Sequence, residues 1–261
     1  MATLRGLDGC PWDREQTIDT LKPFVLEETY ELLEAIDTGD HAAIREELGD
    51  FLFEAVFIAQ LENEAGHFSI ADALAEVGDK LVRRHPHIFA RDQGEARLDS
   101  AGQVKQRWEE IKAQERQERT TGGTPPKRLL DGIPEALPAL LRADQIGRRA
   151  QSVGFDWLEA RDVVAKMEEE VAEIREVVSD ATGTGPDGFD LARAEEEVGD
   201  LLFAIANLSR KLGVDPETAL RKANQKFTRR FTQMEVVVEA RGRSLEGLSL
   251  DELEAYWQQV K

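Results

Sequence analysis

Cysteine, cationic charge and long apolar runs are all scarce in this chain of 261 residues. The single cysteine, Cys10, closes no intramolecular disulfide. The opening MATLRGLDGCPWD does not have the basic-then-apolar order of a secretory leader. The cytoplasm is therefore the expected compartment. Lys and Arg number 33 against 52 Asp and Glu, a formal charge of −19. Nucleic-acid binding needs a cationic footprint, so nucleic acid is not an expected partner. No stretch nears the ~18 consecutive apolar residues of a membrane span; the fullest run, residues 201–206, stops early. What the chain does have is an apolar fraction of 41%. At about 150 residues per domain, that supplies two domains with a core each.

The same unit is written twice. Glu46-Glu47-Leu48-Gly49-Asp50-Phe51-Leu52-Phe53 recurs as Glu196-Glu197-Val198-Gly199-Asp200-Leu201-Leu202-Phe203. Upstream, Glu27-Glu28-Thr29-Tyr30-Glu31 is matched by Glu169-Glu170-Val171-Ala172-Glu173. Downstream, Lys80 to Arg84 is matched by Lys226 to Arg230, and Trp108 with Lys112 by Trp257 with Lys261. Order is kept throughout, which indicates a tandem duplication. Between the copies, residues 117–138 carry Gly122-Gly123, Pro125-Pro126, Pro134 and Pro138, a linker composition. The expected division is a domain over 1–116, a linker over 117–138 and a domain over 139–261. Apolar spacing of three and four predicts helices, with turns at Asp37 to Asp40, over residues 182–188 and at Gly213 to Pro216. No period-two strand is evident. The expected fold class is all-α, two bundles of four to five helices.

An acidic run in so acidic a chain is usually solvated surface. Here the helix geometry argues otherwise. Leu48, Phe51, Leu52, Ala55 and Ala59 form one face, and Phe53, Val56 and Ile58 extend it, so the helix is expected to be buried nearly all round. Glu47 and Asp50, one turn apart, project from the remaining arc beside Glu46 and Glu54. The second copy repeats the pair as Glu197 and Asp200, with Ala204 in place of Glu54. On the preceding helix Glu27, Glu28 and Glu31 share a side, as do Glu169, Glu170 and Glu173. Clustered like charges in a partly dry groove need compensation. All-oxygen ligands without His or Cys select a hard divalent cation, Mg²⁺ or Mn²⁺. Gly49 and Gly199, lacking a side chain, admit either a partner helix or a ligand.

Lys226 and Arg230, with Arg229 beside them, share a face, as do Trp257 and Lys261. Cations beside a metal-binding acid cluster suit a bridging polyanion such as phosphate. A tryptophan one turn from a lysine can stack on a base or sugar, although alone it is more often core.

With these residues together, the chain resembles a two-domain MazG protein of the all-α nucleoside triphosphate pyrophosphohydrolase superfamily. Gly9-Cys10-Pro11-Trp12-Asp13, Leu26-Glu27-Glu28-Thr29-Tyr30-Glu31, Glu47-Leu48-Gly49-Asp50, Arg83-Arg84-His85-Pro86-His87 and Val153-Gly154-Phe155-Asp156-Trp157 carry the resemblance across nearly the whole chain. A lone E-E-x-x-E is a weak signal; followed by E-x-x-D and duplicated, it is strong. The resemblance implies Mg²⁺-dependent hydrolysis of a nucleoside triphosphate to the monophosphate and pyrophosphate. It implies metal ligation by Glu170, Glu173, Glu197 and Asp200, and by Glu28, Glu31, Glu47 and Asp50. Glu169 would orient or deprotonate water, although it and Glu27 suit a ligand role equally. Lys226, Arg229, Arg230 and Arg193 would hold phosphates, and Trp257 and Lys261 would close over the nucleotide. Lys80, Arg84, Trp108 and Lys112 are their counterparts in the first copy. A homodimer is the expected assembly. Because His85-Pro86 should end its helix, the first copy is expected to be the weaker or regulatory one.

Three other readings compete. A narrower pyrophosphohydrolase acting on dUTP or phosphoribosyl-ATP shares the same acids. A di-iron or di-manganese redox bundle needs two Glu-x-x-His spacings, and the chain has one, Glu64 to His67. An acidic scaffold explains the net charge but not the duplicated downstream cations. All four histidines, His41, His67, His85 and His87, lie in the first half, so they do not serve chemistry common to both copies.

Overall fold

A computed structural model describes residues 1–90, 94, 97–121, 128–179 and 188–261, with the side chains of 109, 112, 113 and 116–121 excluded. Lys112 is thus outside the described side chains, and the turn expected over 182–188 is outside the described residues but for Gly188. The described residues form helices and no strand, which is the all-α tandem fold the repeat implied. The chain divides into two compact units, Met1–Thr124 and Pro125–Lys261.

The first unit comprises α1 (Ala2–Arg5), α2 (Pro11–Glu15), α3 (Ile18–Thr38), α4 (His41–Glu64), α5 (Ile70–Arg84), α6 (Pro86–Phe89) and α7 (Ala101–Thr121). Its main pairing is α3 on α4, with α5 against α4. Local sequence sets the ends of these helices. Thr17 and Thr20 close a reciprocal capping box at the start of α3, and Gly39, at φ 72°, ends it in the left-handed conformation that favours glycine. Asp40 then caps α4 by accepting from the amides of Ala42 and Ala43. As His85-Pro86 indicated, α5 stops at Arg84.

The second unit comprises α8 (Ala139–Gln151), α9 (Ala160–Ser179), α10 (Leu191–Lys211), α11 (Pro216–Glu239) and α12 (Leu250–Gln259). Here α10 packs on α9 and α8, and α11 on α12 and α8. Asp190 caps α10 as Asp40 caps α4. The turn at Gly213 and Asp215 delivers Pro216 to the first position of α11, which runs on to Glu239. At the α8–α10 crossing Gly147 is required: a Cβ there would lie 2.5 Å from Asn207 Oδ1. Asn207 is itself buried, and its side-chain amide donates to the Phe203 carbonyl at 3.0 Å.

One expectation needs correction. Helix α4 is not buried nearly all round, since Leu48, Leu52, Phe53 and Val56 are 44, 54, 40 and 41% exposed. Of its apolar side chains only Phe57 and Ala59 are buried, and the helices packed against it are α3 and α5. Leu48 and Leu52 remain largely open to solvent. Val198, Leu202 and Phe203 on α10 are exposed in the same way. Gly49 and Gly199 face open space, since a Cβ at either position would meet nothing within 4 Å, so neither makes a close approach within its own unit.

Candidate active site and metal centre

In the second unit α9 and α10 lie side by side and face their acids toward each other. Glu170, Glu197 and Asp200 each offer a carboxylate oxygen within 4.8 Å of the others. Glu170 is 3% exposed. Its Oε1 accepts from Lys166 Nζ at 2.8 Å, while its buried Oε2 has no donor. A buried carboxylate oxygen without a partner is costly, and a divalent cation could supply the missing charge. The donor set, carboxylate oxygens alone, suits a hard ion. Glu173 joins the group: burial first, then the Glu197 charge and a hydrogen bond with Glu170, push its pKa above the usual carboxylate range. Glu169 is exposed and also bound to Lys166, at 2.9 Å. The two carboxylates in turn raise the pKa of Lys166. Arg193 Nε stands 3.6 Å from Glu197 Oε1. Beside this cluster, Trp157, Lys166, Glu170, Asp200, Phe203 and Ala204 line a recess of about 190 Å³.

The first unit builds a related cluster from α3 and α4, with Glu31 rather than Asp50 in the converging set. Glu28, Glu31 and Glu47 bring carboxylate oxygens within 4.8 Å. Burial first, then the charges of Asp50, Glu31, Glu47 and Glu54, raise the pKa of Glu28, whose buried Oε2 also lacks a donor. Glu47 is raised by burial and then by Glu31, Glu46 and Asp50. Glu54, buried on α4, is raised by burial.

The cationic residues differ sharply between the units. Arg84 Nη2 and Arg83 Nε each meet Glu115 of α7 at 2.8 Å, and these guanidiniums hold the Glu115 pKa down to about 2. Arg84 is thereby engaged within the protein. Lys80 is half-buried on α5. Trp108 lies edge-on to His85 at 5.2 Å, with its buried indole nitrogen unpartnered. In the second unit Lys226 and Arg229 are exposed and Arg230 half-buried on α11, and none has an ion-pair partner among the described residues. Trp257 packs 5.1 Å from Phe227 and against the Met234, Val238 and Tyr256 core. Lys261 borders an open recess with Thr232, Gln233 and Val236. The structure thus groups the acids on α9 and α10, and the aromatic and cationic residues on α11 and α12.

Sequence reasoning missed Lys166, although its position four residues before Glu170 is a helical ion-pair spacing. It placed Glu54 on the acidic arc without counting it as a member of the cluster. It also missed Arg210 and Lys211, which ion-pair with Asp156 at 2.5 and 2.7 Å.

The raised carboxylates have a pH consequence. Glu28, Glu47, Glu54 and Glu173 hold protons in the folded chain at pH values where the unfolded chain, with its ordinary carboxylates near 4.5, has released them. Their contribution therefore destabilises the metal-free protein as pH rises through the raised values, and this is relieved toward the ordinary value. A bound cation displaces those protons. Thermal melts with and without MgCl₂ should show a larger Mg²⁺-induced shift at about pH 7.5 than at about pH 5. Equal shifts at both would contradict the linkage.

Comparison with known proteins places this geometry in context. The MazG nucleotide pyrophosphohydrolase domain matches twice, over residues 16–89 and 159–234. A nucleoside triphosphate pyrophosphohydrolase of Escherichia coli strain K12 is 47% identical over 254 residues, covering 97% of this chain and 91% of that protein. The nucleoside triphosphate pyrophosphohydrolase/pyrophosphatase MazG of Thermotoga maritima is 44% identical over 261 residues, covering 100% of this chain and 92% of that protein. A nucleoside triphosphate pyrophosphohydrolase of Mycolicibacterium smegmatis is 37% identical over 147 residues, 56% of this chain and 42% of its own length.

Proposed function

This chain belongs to the MazG nucleotide pyrophosphohydrolase family, and from that premise we propose how its residues carry out the hydrolysis of nucleoside triphosphates to monophosphate and pyrophosphate. The observation that carries the reading is the convergence of Glu170, Glu197 and Asp200 within 4.8 Å, with a buried orphan oxygen on Glu170. Glu170, Glu173, Glu197 and Asp200 would hold Mg²⁺, which Mn²⁺ could replace. When bound, the cation offsets the charge of the triphosphate and of the departing pyrophosphate.

The protein's own groups do the rest. Water attacks the α-phosphorus, the bond from that phosphorus to the bridging oxygen breaks, and pyrophosphate leaves with the electron pair. Glu169, exposed beside Glu170, accepts the water's proton. Lys226, Arg229, Arg230 and Arg193 bind phosphate oxygens, and Trp257 with Lys261 covers the nucleoside. The second unit is the principal catalyst, because its α11 cations have no ion-pair partner among the described residues while Arg83 and Arg84 are held by Glu115. Residues 1–116 and 139–261 act as the two domains.

The uncovered apolar flanks of α4 and α10, Leu48, Leu52, Leu202 and Phe203 among them, support a homodimer, since a second copy would bury them. No described helix is long and apolar enough to cross a membrane, and the cytoplasm is the proposed site of action.

The test is incubation with NTPs and dNTPs, with and without Mg²⁺, and chromatographic resolution of products. Monophosphate with pyrophosphate, formed only with metal, is expected. Diphosphate with orthophosphate would overturn the assignment of the attacked phosphorus.

A further inference from the structure

The turn from α8 to α9 is fastened to the end of α10 by more charge than a fastening needs. Gly154, at φ 84°, reverses the chain after α8 and so carries Asp156 back to the last two residues of α10. Arg210 grips the Asp156 carboxylate with both terminal nitrogens, Nη2 to Oδ1 at 2.5 Å and Nη1 to Oδ2 at 3.2 Å, the bidentate geometry of a strong pair. Gln151, the last residue of α8, and Asn207 accept from the same two nitrogens at 3.0 and 3.2 Å. Gly147 leaves room for this, since a Cβ there would stand 3.0 Å from Arg210 Nε. One cation neutralises one carboxylate. Lys211 is a second, 2.7 Å from Asp156 Oδ2, and it reaches past the acid to donate to the carbonyl of Trp157.

Trp157 is the residue which that extra bond singles out. Its near neighbours Phe155 and Leu158 are exposed, whereas Trp157 is half-buried and lines the recess beside Glu170 and Asp200 together with Phe203. At about 190 Å³ the recess is smaller than the ~300 Å³ at which pockets for whole small molecules begin, so it suits one flat group of a nucleotide with the phosphates outside it. Its two aromatic members match the base. The first unit lacks both cations. Counting from the caps Asp40 and Asp190, the counterparts of Arg210 and Lys211 are Gln60 and Leu61. Its leading segment is held instead by Arg5, which meets Glu64 at 2.7 Å and donates to the carbonyls of Asp13 and Gln16. Trp12 there is 50% exposed and rests edge-on against Phe24.

We propose that Asp156, Arg210 and Lys211 are positioning residues that hold Trp157 as the aromatic wall on which the base of the nucleoside triphosphate stacks, a device built into the second unit alone. The inference rests on the reading that the second unit's carboxylates are the seat of hydrolysis. Contacts to the base do not change as pyrophosphate departs, so the effect of the clamp falls on KM and not on kcat.

The test is steady-state hydrolysis by the full chain, with whichever of ATP, GTP, CTP and UTP it turns over fastest, at a temperature below the melt of every variant. Trp157→Ala should raise KM by about tenfold or more, and Trp157→Phe, which keeps a ring, by less. Lys211→Gln leaves the Arg210 pair with Asp156 in place but frees the Trp157 carbonyl, and it should raise KM by about threefold or more. All three should keep kcat within about twofold of the parent. Lys211→Gln made in the Trp157→Ala background should add no further loss, as a role exercised through Trp157 requires. The proposal is overturned by a KM unchanged in Trp157→Ala or in Lys211→Gln, by losses confined to kcat, or by losses that add in the double variant. Its premise fails separately: if Glu197→Gln kept the parent kcat, hydrolysis would not lie in the second unit, and the proposal would fall with that reading.

Discussion

Glu197→Gln is expected to lower kcat for nucleoside triphosphate hydrolysis by about a hundredfold or more, while Glu47→Gln lowers it by less than about threefold. Glutamine keeps the shape of the side chain and its place on α10 but removes the negative charge. Glu197 stands with Glu170 and Asp200 inside the 4.8 Å cluster, so the loss falls on the groups that would hold the cation nearest the reacting phosphates. Most of the effect belongs in kcat, because the charge being stabilised develops as pyrophosphate departs.

The expected contrast between the copies would come from their cations and not from the convergence of their acids. Both carboxylate sets converge, but Arg83 and Arg84 are both bound to Glu115, a pairing strong enough to hold that acid near 2. A triphosphate arriving at the first unit would have to compete with a carboxylate already in place for those arginines. At the second unit it would meet Lys226, Arg229 and Arg230 without ion-pair partners among the described residues. Steady-state rates of the two variants, with helicity checked by circular dichroism, decide the issue. Equal loss from both would mean that the two copies share the turnover.

Helix content, the duplication and the clustering of the acids could be read from sequence because each rests on local spacing. Glu28 and Glu31 are three residues apart, as are Glu47 and Asp50, and 3.6 residues per turn puts each pair on one face. The caps Asp40 and Asp190 and the stop at His85-Pro86 are equally local. Burial was another matter. The apolar breadth of α4 suggests a helix enclosed on all sides, but breadth of pattern does not say how many partners one chain supplies. The fate of the cations was also hidden. Glu115 captures Arg84 across 31 residues, and Arg210 reaches Asp156 across 54. Spacing along a helix carries no information about such pairings, which depend on how separate elements cross.

Asp156→Asn is expected to destabilise the second unit by about 3 kcal/mol, with a fall in melting temperature of roughly 10 °C. Asp156 is where Arg210 and Lys211, the last two residues of α10, converge, at 2.5 and 2.7 Å, with side-chain exposures of 10% for the acid and 3% for Arg210. Asparagine fills the same space but leaves a buried guanidinium without its anion. Hydrogen bonds from Arg210 to Gln151 and Asn207 compensate only part of that charge, since both acceptors are neutral. The effect should reach the recess, because Lys211 also donates to the carbonyl of Trp157, which lines it. A red shift in tryptophan emission below the melting transition would report that loosening. Acid titration gives a second, independent signature. The two cations hold the Asp156 pKa at about 2, below its ordinary 3.8, so its stabilising contribution is complete above the ordinary value and is lost as pH falls toward 2. The variant should therefore lack that part of the acid-induced loss of stability. By contrast, Asp19→Asn removes a pair with Lys22 whose side chains are 85 and 69% exposed, and it should leave the melt unchanged. If Asp156→Asn melted with the parent, the two cations would be satisfied without their carboxylate, and the anchoring of Trp157 would have to rest on the backbone alone.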